Sequence, residues 1–218
     1  PCMFPLAPNQ AILRYDVATQ LLGSLWSMFS SEQIQKALSV LKDRQGQAVM
    51  SPLITIVDDP QLPDGFVSCD FDDEGVPTQR TVLVEKGVFK EALYDRKSAL
   101  KANRASTGNG FKNGCSSPVQ ISPTNLLVEP GDQSLDAMMA QIEEGVLITD
   151  LQGLHAGLAS GFKIEKGQIA YPIHLITIAA NYLEMMNSIV ALGNDGRQDL
   201  NGVRCSSLYV ENLAISGE

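Results

Sequence analysis

The chain has 218 residues, 44% hydrophobic and 19% charged, and its 16 Lys and Arg face 25 Asp and Glu for a formal net charge of -9. This composition supports a packed core and argues against global disorder. The outnumbered, scattered cations disfavour direct nucleic-acid binding, which needs concentrated Lys and Arg to displace phosphate counterions; no apolar run of ~18 residues occurs, so no membrane span is expected.

Residues 1–50 read as a helical leading segment of one domain spanning 1–218, and 51–218 as its sheet-rich core. Val17, Leu21, Leu22, Leu25 and Trp26 recur at helical spacing behind Asp16, which can cap the start. Ser31 can cap a second helix running to Arg44, with Ile34, Ala37, Leu38 and Leu41 on one face. "LITIVDD", between Pro52 and Pro60, is a β-rich run. "QRTVLVE" and "VFKEALY" flank Lys86-Gly87 as a hairpin, with glycine where a positive φ is tolerated. Asp95 can cap the short helix "DRKSALKANR", and the Gly-rich loop "STGNGFKNG" follows.

"TNLLVEPG" reads as a strand, and "SLDAMMAQIEEG" as a helix capped by Ser134 and ended by Gly145. "VLITDL" is another strand. "GFKIEKGQIAYP" repeats the Glu-Lys-Gly turn at Glu165-Lys166-Gly167. "ANYLEMMNSIVALGND" is expected to be helical, burying Leu183, Met186, Ile189 and Val190. "SSLYVENLAIS" is expected to be a strand pair turning at Glu211-Asn212. The turns are too tight for parallel crossovers, so the class is α+β: a largely antiparallel sheet built from successive hairpins, with packed helices.

Asp70, Asp72 and Glu74 alternate as calcium ligands do, but Thr81 stands where a calcium loop needs its distal Glu. The stretch "DDEGVP" reads instead as a solvated turn. His155 in "GLHAGL" and His174 in "PIHLITI" lie in different elements, and neither is followed by the Glu of a zinc helix. No GxSxG elbow is present. "TGNG" could cradle an anion but lacks the P-loop Lys-Ser/Thr pair, and a tight turn accounts for it. Cys2, Cys69, Cys115 and Cys205 form no CxxC pair, which suggests a reducing compartment and no cysteine metal site. No basic-then-apolar leader occurs, and the start at Pro1-Cys2-Met3 reads as a fragment or a processed chain.

Several stretches resemble, in order, the C-terminal half of the PmbA/TldD family, also called modulators of DNA gyrase. They are "SPLITIVDDP", "FDDEGVPTQRTVLVEKGVFKEALYD", "STGNGF", "SPTNLLVEPGDQSLDAMMAQIEEGVLITDLQGLHAG", "GFKIEKGQIAYPIHLITIA" and "NSIVALGND". The resemblance implies an N-terminal family domain that this chain does not show. It also implies two kinds of subunit: TldD-type zinc metallopeptidases, and TldE (PmbA)-type partners. TldD-type members carry a HExxxH helix upstream of the "VVDD" strand. Counting back from "GQAVMSPLITIVDD" places it at Leu22–Ser27, "LGSLWS", where neither His nor Glu is found. Cys205, in "GVRCSSLYV", falls too late to match the family's cysteine ligand, and "ITDLQGLHAG" looks TldE-like. The loops near Asn113 and Leu158 are shorter than is usual in the family.

The resemblance therefore implies a non-catalytic TldE/PmbA-like subunit of a cytoplasmic TldD–TldE-type metalloprotease complex. It implies no catalytic, cofactor or metal residues of its own. The expected partners are a TldD-type catalytic subunit or a second copy in a dimer, and unfolded peptides held through main-chain hydrogen bonds. One alternative is an active zinc peptidase using Asp72, Asp73 and His155. The other is a regulatory binding module.

Overall fold

The computed structural model describes residues 4–5, 10–152, 157–179 and 181–217. The early strands are β1 (Phe4–Pro5), β2 (Ala11–Leu13), β3 (Ile56–Asp58), β4 (Thr81–Glu85), β5 (Val88–Phe89), β6 (Gly110–Phe111), β7 (Gln120–Ile121) and β8 (Leu126–Val128). The later ones are β9 (Glu144–Gln152), β10 (Gly157–Glu165), β11 (Gln168–Ala179), β12 (Ile189–Leu192), β13 (Arg197–Gln198), β14 (Val203–Cys205), β15 (Leu208–Val210) and β16 (Ala214–Gly217). The helices are α1 (Tyr15–Leu25), α2 (Ser31–Gln35), α3 (Arg96–Lys101), α4 (Leu135–Met139) and α5 (Tyr182–Asn187). Most strand pairs are antiparallel, so the α+β class holds. The chain forms two compact units interleaved in sequence: 1–21, 130–197 and 205–218, and 22–129 with 198–204.

The first unit contains an eight-stranded sheet in the order β1-β16-β11-β10-β9-β2-β15-β12. β2 lies parallel to β9 and antiparallel to β15. Its three residues are all buried, so both sheet faces are covered at the centre. On one face Ile12, Leu147, Ile164 and Tyr209 pack with Met138 and Met139 of α4. The expected hairpin at Glu165-Lys166-Gly167 is present and long, joining β10 to β11.

Three expectations in this unit are corrected. Ser134 does cap α4, accepting from the Ala137 N–H at 3.2 Å. That helix stops at Met139, and Gly145 lies inside β9, because Glu144 and Gly145 pair with Glu165 and Ile164. The predicted helix after Asn181 ends at Asn187. Ile189–Leu192 is a strand on β15, with Ile189 buried but Val190 43% exposed. Consecutive β-branched residues fit a pleated strand better than a helix. Finally, β15 and β16 do not pair with each other. β15 lies between β12 and β2, and β16 between β1 and β11. Asn212, in the left-handed region at φ 59, redirects the chain, and Leu213 beyond it is buried.

The second unit contains the sheet β13-β14-β8-β3-β4-β5. β3 is central there and antiparallel to both β4 and β8. The hairpin at Lys86-Gly87 forms as expected, with both residues at positive φ (46 and 79), the hand a two-residue hairpin turn demands. The helix expected up to Arg44 does not form beyond α2. Ala37 enters the left-handed region (φ 57), and the Leu38 N–H reaches back to the Gln33 carbonyl at 2.9 Å. Leu38 is left 71% exposed, while Leu41 beyond the break is fully buried. Ser39 fixes this reversal, donating to the Met28 carbonyl (2.6 Å) and accepting from the Leu41 N–H (3.1 Å). Among the described residues, no helix is long and apolar enough to cross a membrane.

Candidate functional site

The acidic stretches singled out in the sequence meet within the second unit. β3 is apolar through Ile56 and Val57, and its central position carries Asp58 at the strand end into the interior, where it is fully buried. One carboxylate oxygen accepts from Asn109 Nδ2 at 2.7 Å. The other accepts from the Thr124 N–H (2.7 Å) and its hydroxyl (2.9 Å). No cation is among these partners. Burial pushes Asp58 up to about 6, against the lowering pull of the Asn109 and Thr124 hydrogen bonds.

Asn109 is itself held. Its Oδ1 accepts from the Thr107 hydroxyl at 2.6 Å, and Nδ2 also donates to the Ser122 carbonyl at 3.0 Å. The loop carrying it, "STGNG", is fastened to Tyr94: the Tyr94 N–H donates to Thr107 Oγ1 at 2.8 Å, and the Thr107 N–H returns to the Tyr94 carbonyl at 3.2 Å. The Gly108 N–H donates to Ser106 Oγ at 3.2 Å and the Gly110 N–H to Asp72 Oδ2 at 2.9 Å. The Thr107, Gly108 and Gly110 N–H groups, which an anion cradle would need, are thus bound within the protein.

Asp72 corrects the reading of the acidic run as solvated. It is buried, and its Oδ1 accepts from the Glu74 and Val76 N–H groups at 3.0 and 2.9 Å. With Gly110 on the other oxygen, the carboxylate ties its own turn to the Gly-rich loop. Asp73 stays exposed and accepts from the Lys112 N–H at 2.7 Å. Asp59 faces Arg80 at 3.7 Å, and Arg80 also reaches Glu129 at 3.2 Å. The Cys69 thiol is pushed up from its ordinary value by burial and by the carboxylates of Asp58, Asp70, Asp72 and Asp73.

Asn125, fully buried, completes the network. It donates to the carbonyls of Asp59 (2.9 Å) and Val67 (2.7 Å) and accepts from the Val67 N–H (3.1 Å) and Gln198 Nε2 (2.8 Å). Asn109, Thr124 and Asn125 were not singled out from sequence. The signal was present: polar side chains at fixed places inside the most family-like stretches, "STGNGF" and "SPTNLL". Chemically, the arrangement fastens loops and can accept a proton at Asp58. Its oxygens already serve protein donors.

A zinc ion finds no matching donors at the positions where the resemblance puts the HExxxH helix. Leu22–Ser27 spans the end of α1 and the turn after it and offers no imidazole, thiolate or carboxylate. Among the described residues no three His, Cys, Asp or Glu side chains are grouped to hold a metal. His174 is exposed on β11, and His155 and Cys2 lie outside the described residues. Cys69, Cys115 and Cys205 are unpaired. Cys205 is 1% exposed, and burial, reinforced by Asp195, pushes its thiol up to about 12, away from a metal-binding thiolate.

The model of the PmbA/TldA metallopeptidase C-terminal domain matches residues 9–217. The metalloprotease PmbA of Escherichia coli O157:H7 is 30% identical over 217 residues, covering 95% of this chain and 45% of the relative. The chain thus spans about half the length of the curated relatives it matches. Among solved structures, a modulator of a DNA gyrase from Thermotoga maritima superposes with a TM-score of 0.87 at 35% identity, over 94% of this chain and 49% of that one. TldE from Thermococcus kodakarensis superposes at 0.84 with 27% identity, over 95% of this chain and 50% of that one.

Proposed function

The chain belongs to the PmbA/TldD metallopeptidase family through its C-terminal domain, and on that premise we propose that it is a TldE/PmbA-type subunit without peptidase chemistry of its own. It acts beside a TldD-type catalytic subunit, in the cytoplasm, on unfolded peptides, and residues 1–218 serve as one family C-terminal domain. The observation that carries the reading is the donor chemistry of Leu22–Ser27. A zinc-bound water is acidified only where ligands hold the metal, and this stretch supplies hydroxyls and apolar side chains instead. Likeness to a TldE structure supports the same side of the family.

The alternative zinc site from Asp72, Asp73 and His155 is disfavoured, because both oxygens of Asp72 already accept backbone hydrogen bonds. The test is to incubate the purified protein with zinc and an unstructured peptide, alone and with a TldD-type partner. Cleavage is expected only with the partner. Zinc-dependent cleavage by this chain alone overturns the proposal.

A further inference from the structure

The chain's cations are few, and a quarter of them sit together. Arg96, Lys97, Lys101 and Arg104 account for four of the 16 Lys and Arg, within a stretch, Arg96–Arg104, that contains no Asp or Glu. The first three lie on α3 and are exposed, while Ser98 and Ala99 provide the helix's buried side. Leu100 stands on the outer side, 81% exposed. It follows Arg96 by four residues and Lys97 by three, the helical spacings that make side chains neighbours. A single exposed leucine is ordinary. This one, with Val76, Arg96, Lys97 and Arg104, lines a shallow pocket of 650 Å³.

The pocket's charges are differently prepared. Arg104 is paired with Glu91 and lies 4.5 Å from the centre of the Tyr94 ring, so its guanidinium is positioned before any ligand arrives. The side chains of Arg96 and Lys97 meet no acceptor among the described residues. Glu74, the acid in the pocket wall, is turned to the Arg96 backbone N–H at 2.7 Å.

We propose that this pocket docks an acidic segment of a partner protein, one carrying an apolar residue between its carboxylates. Charge selects the place: on a chain of net charge -9 an acidic segment is repelled over most of the surface and attracted here. The aliphatic part of the lining selects the ligand class. A nucleic-acid strand calls for a basic track with aromatic faces for its bases. Here no aromatic ring lines the pocket, and the aliphatic side chains of Leu100 and Val76 stand among Arg96, Lys97 and Arg104. The site lies within the second unit and does not depend on the subunit role proposed above.

The probe is a fluorescein-labelled Glu-Glu-Leu-Glu-Glu peptide, titrated with the purified protein at low salt and read by fluorescence anisotropy. Saturable binding is expected. Lys97→Glu should weaken it about tenfold, and Leu100→Ser should weaken it severalfold. Both positions are exposed, so the melting temperature should be unchanged, which separates loss of docking from loss of fold. Oligothymidylate of matched charge should not compete. Absence of saturable binding, binding that survives both substitutions, or displacement by oligothymidylate overturns the proposal.

Discussion

The hairpins β4–β5 and β10–β11 share a Glu-Lys-Gly turn, with lysine and glycine both at positive φ. Past the turn they diverge. The first strand pair is over by Phe89, where the Lys90 N–H reaches the Leu83 carbonyl and the Leu93 N–H leaves for the Phe29 carbonyl. The second runs on to Ala179. It does so by absorbing irregularities, and Gly161 sits beside register shifts toward both neighbours, β9 and β11. The buried charges differ too. The first hairpin's sheet holds Asp58, opposite Thr81 of β4 and satisfied by neutral donors. The second holds Lys163, whose side chain is 4% exposed and whose ammonium reaches Glu144 at 2.5 Å. One local code therefore fixes a turn in both places, and the surroundings decide strand length, bulging and how a buried charge is tolerated.

Gly161→Ala is expected to have the largest effect. A Cβ there would lie 1.9 Å from the Leu147 carbonyl oxygen. The backbone must move, at an expected cost of about 4 kcal/mol, read as a shift in urea midpoint.

The two buried charges are separated by pH. Burial raises Asp58 to about 6 from 3.8, so the folded protein holds this proton more tightly than the unfolded chain. The resulting stabilisation is complete below the unfolded value and is lost as pH rises through the folded one. Relative to Asp58→Asn, the wild type should lose on the order of 3 kcal/mol between about pH 3 and pH 7. A difference that stays flat across that interval would contradict the assignment.

The turns themselves are compared by Gly87→Ala and Gly167→Ala. Both force alanine into the left-handed region, but the added Cβ would be 2.4 Å from the Met50 carbonyl oxygen in the first and 2.9 Å from Ala140 Cα in the second. About 3 and about 2 kcal/mol are expected, respectively, with the order as the test.

The smallest effects are electrostatic. Glu144→Gln leaves the buried Lys163 ammonium without a counter-charge and should lower stability by about 1 kcal/mol. Lys90→Ala removes the exposed pair with Glu85 in the first hairpin and should leave the melting temperature unchanged.

Much of this was legible in the sequence. The Glu-Lys-Gly turns, the caps at Ser134 and at Asp95, whose carboxylate accepts from the Ser98 N–H at 2.7 Å, and the α+β class follow from local chemistry: glycine's access to positive φ, and short polar side chains that satisfy the first N–H groups of a helix. The family stretches were also plain, and so was the lack of zinc donors at Leu22–Ser27. What misled was any feature whose outcome depends on distant pairing. Ile189–Leu192 keeps helical spacing yet becomes a strand because β15 is available beside it. "SSLYVENLAIS" has a hairpin's pattern, but its halves join different neighbours. Asp58 and Asp72 look like surface acids in any window of sequence, since the donors to Asp58 come from Asn109 and Thr124, and Asp72 adds the distant Gly110 N–H to the two donors of its own turn. The Glu-Lys-Gly turns, the caps at Asp95 and Ser134 and the family could be read from the sequence alone, because each is written in residues close along the chain. Tertiary structure alone decided strand partners, the division into two units and the burial of the carboxylates, because these depend on groups that meet only when distant segments are brought together.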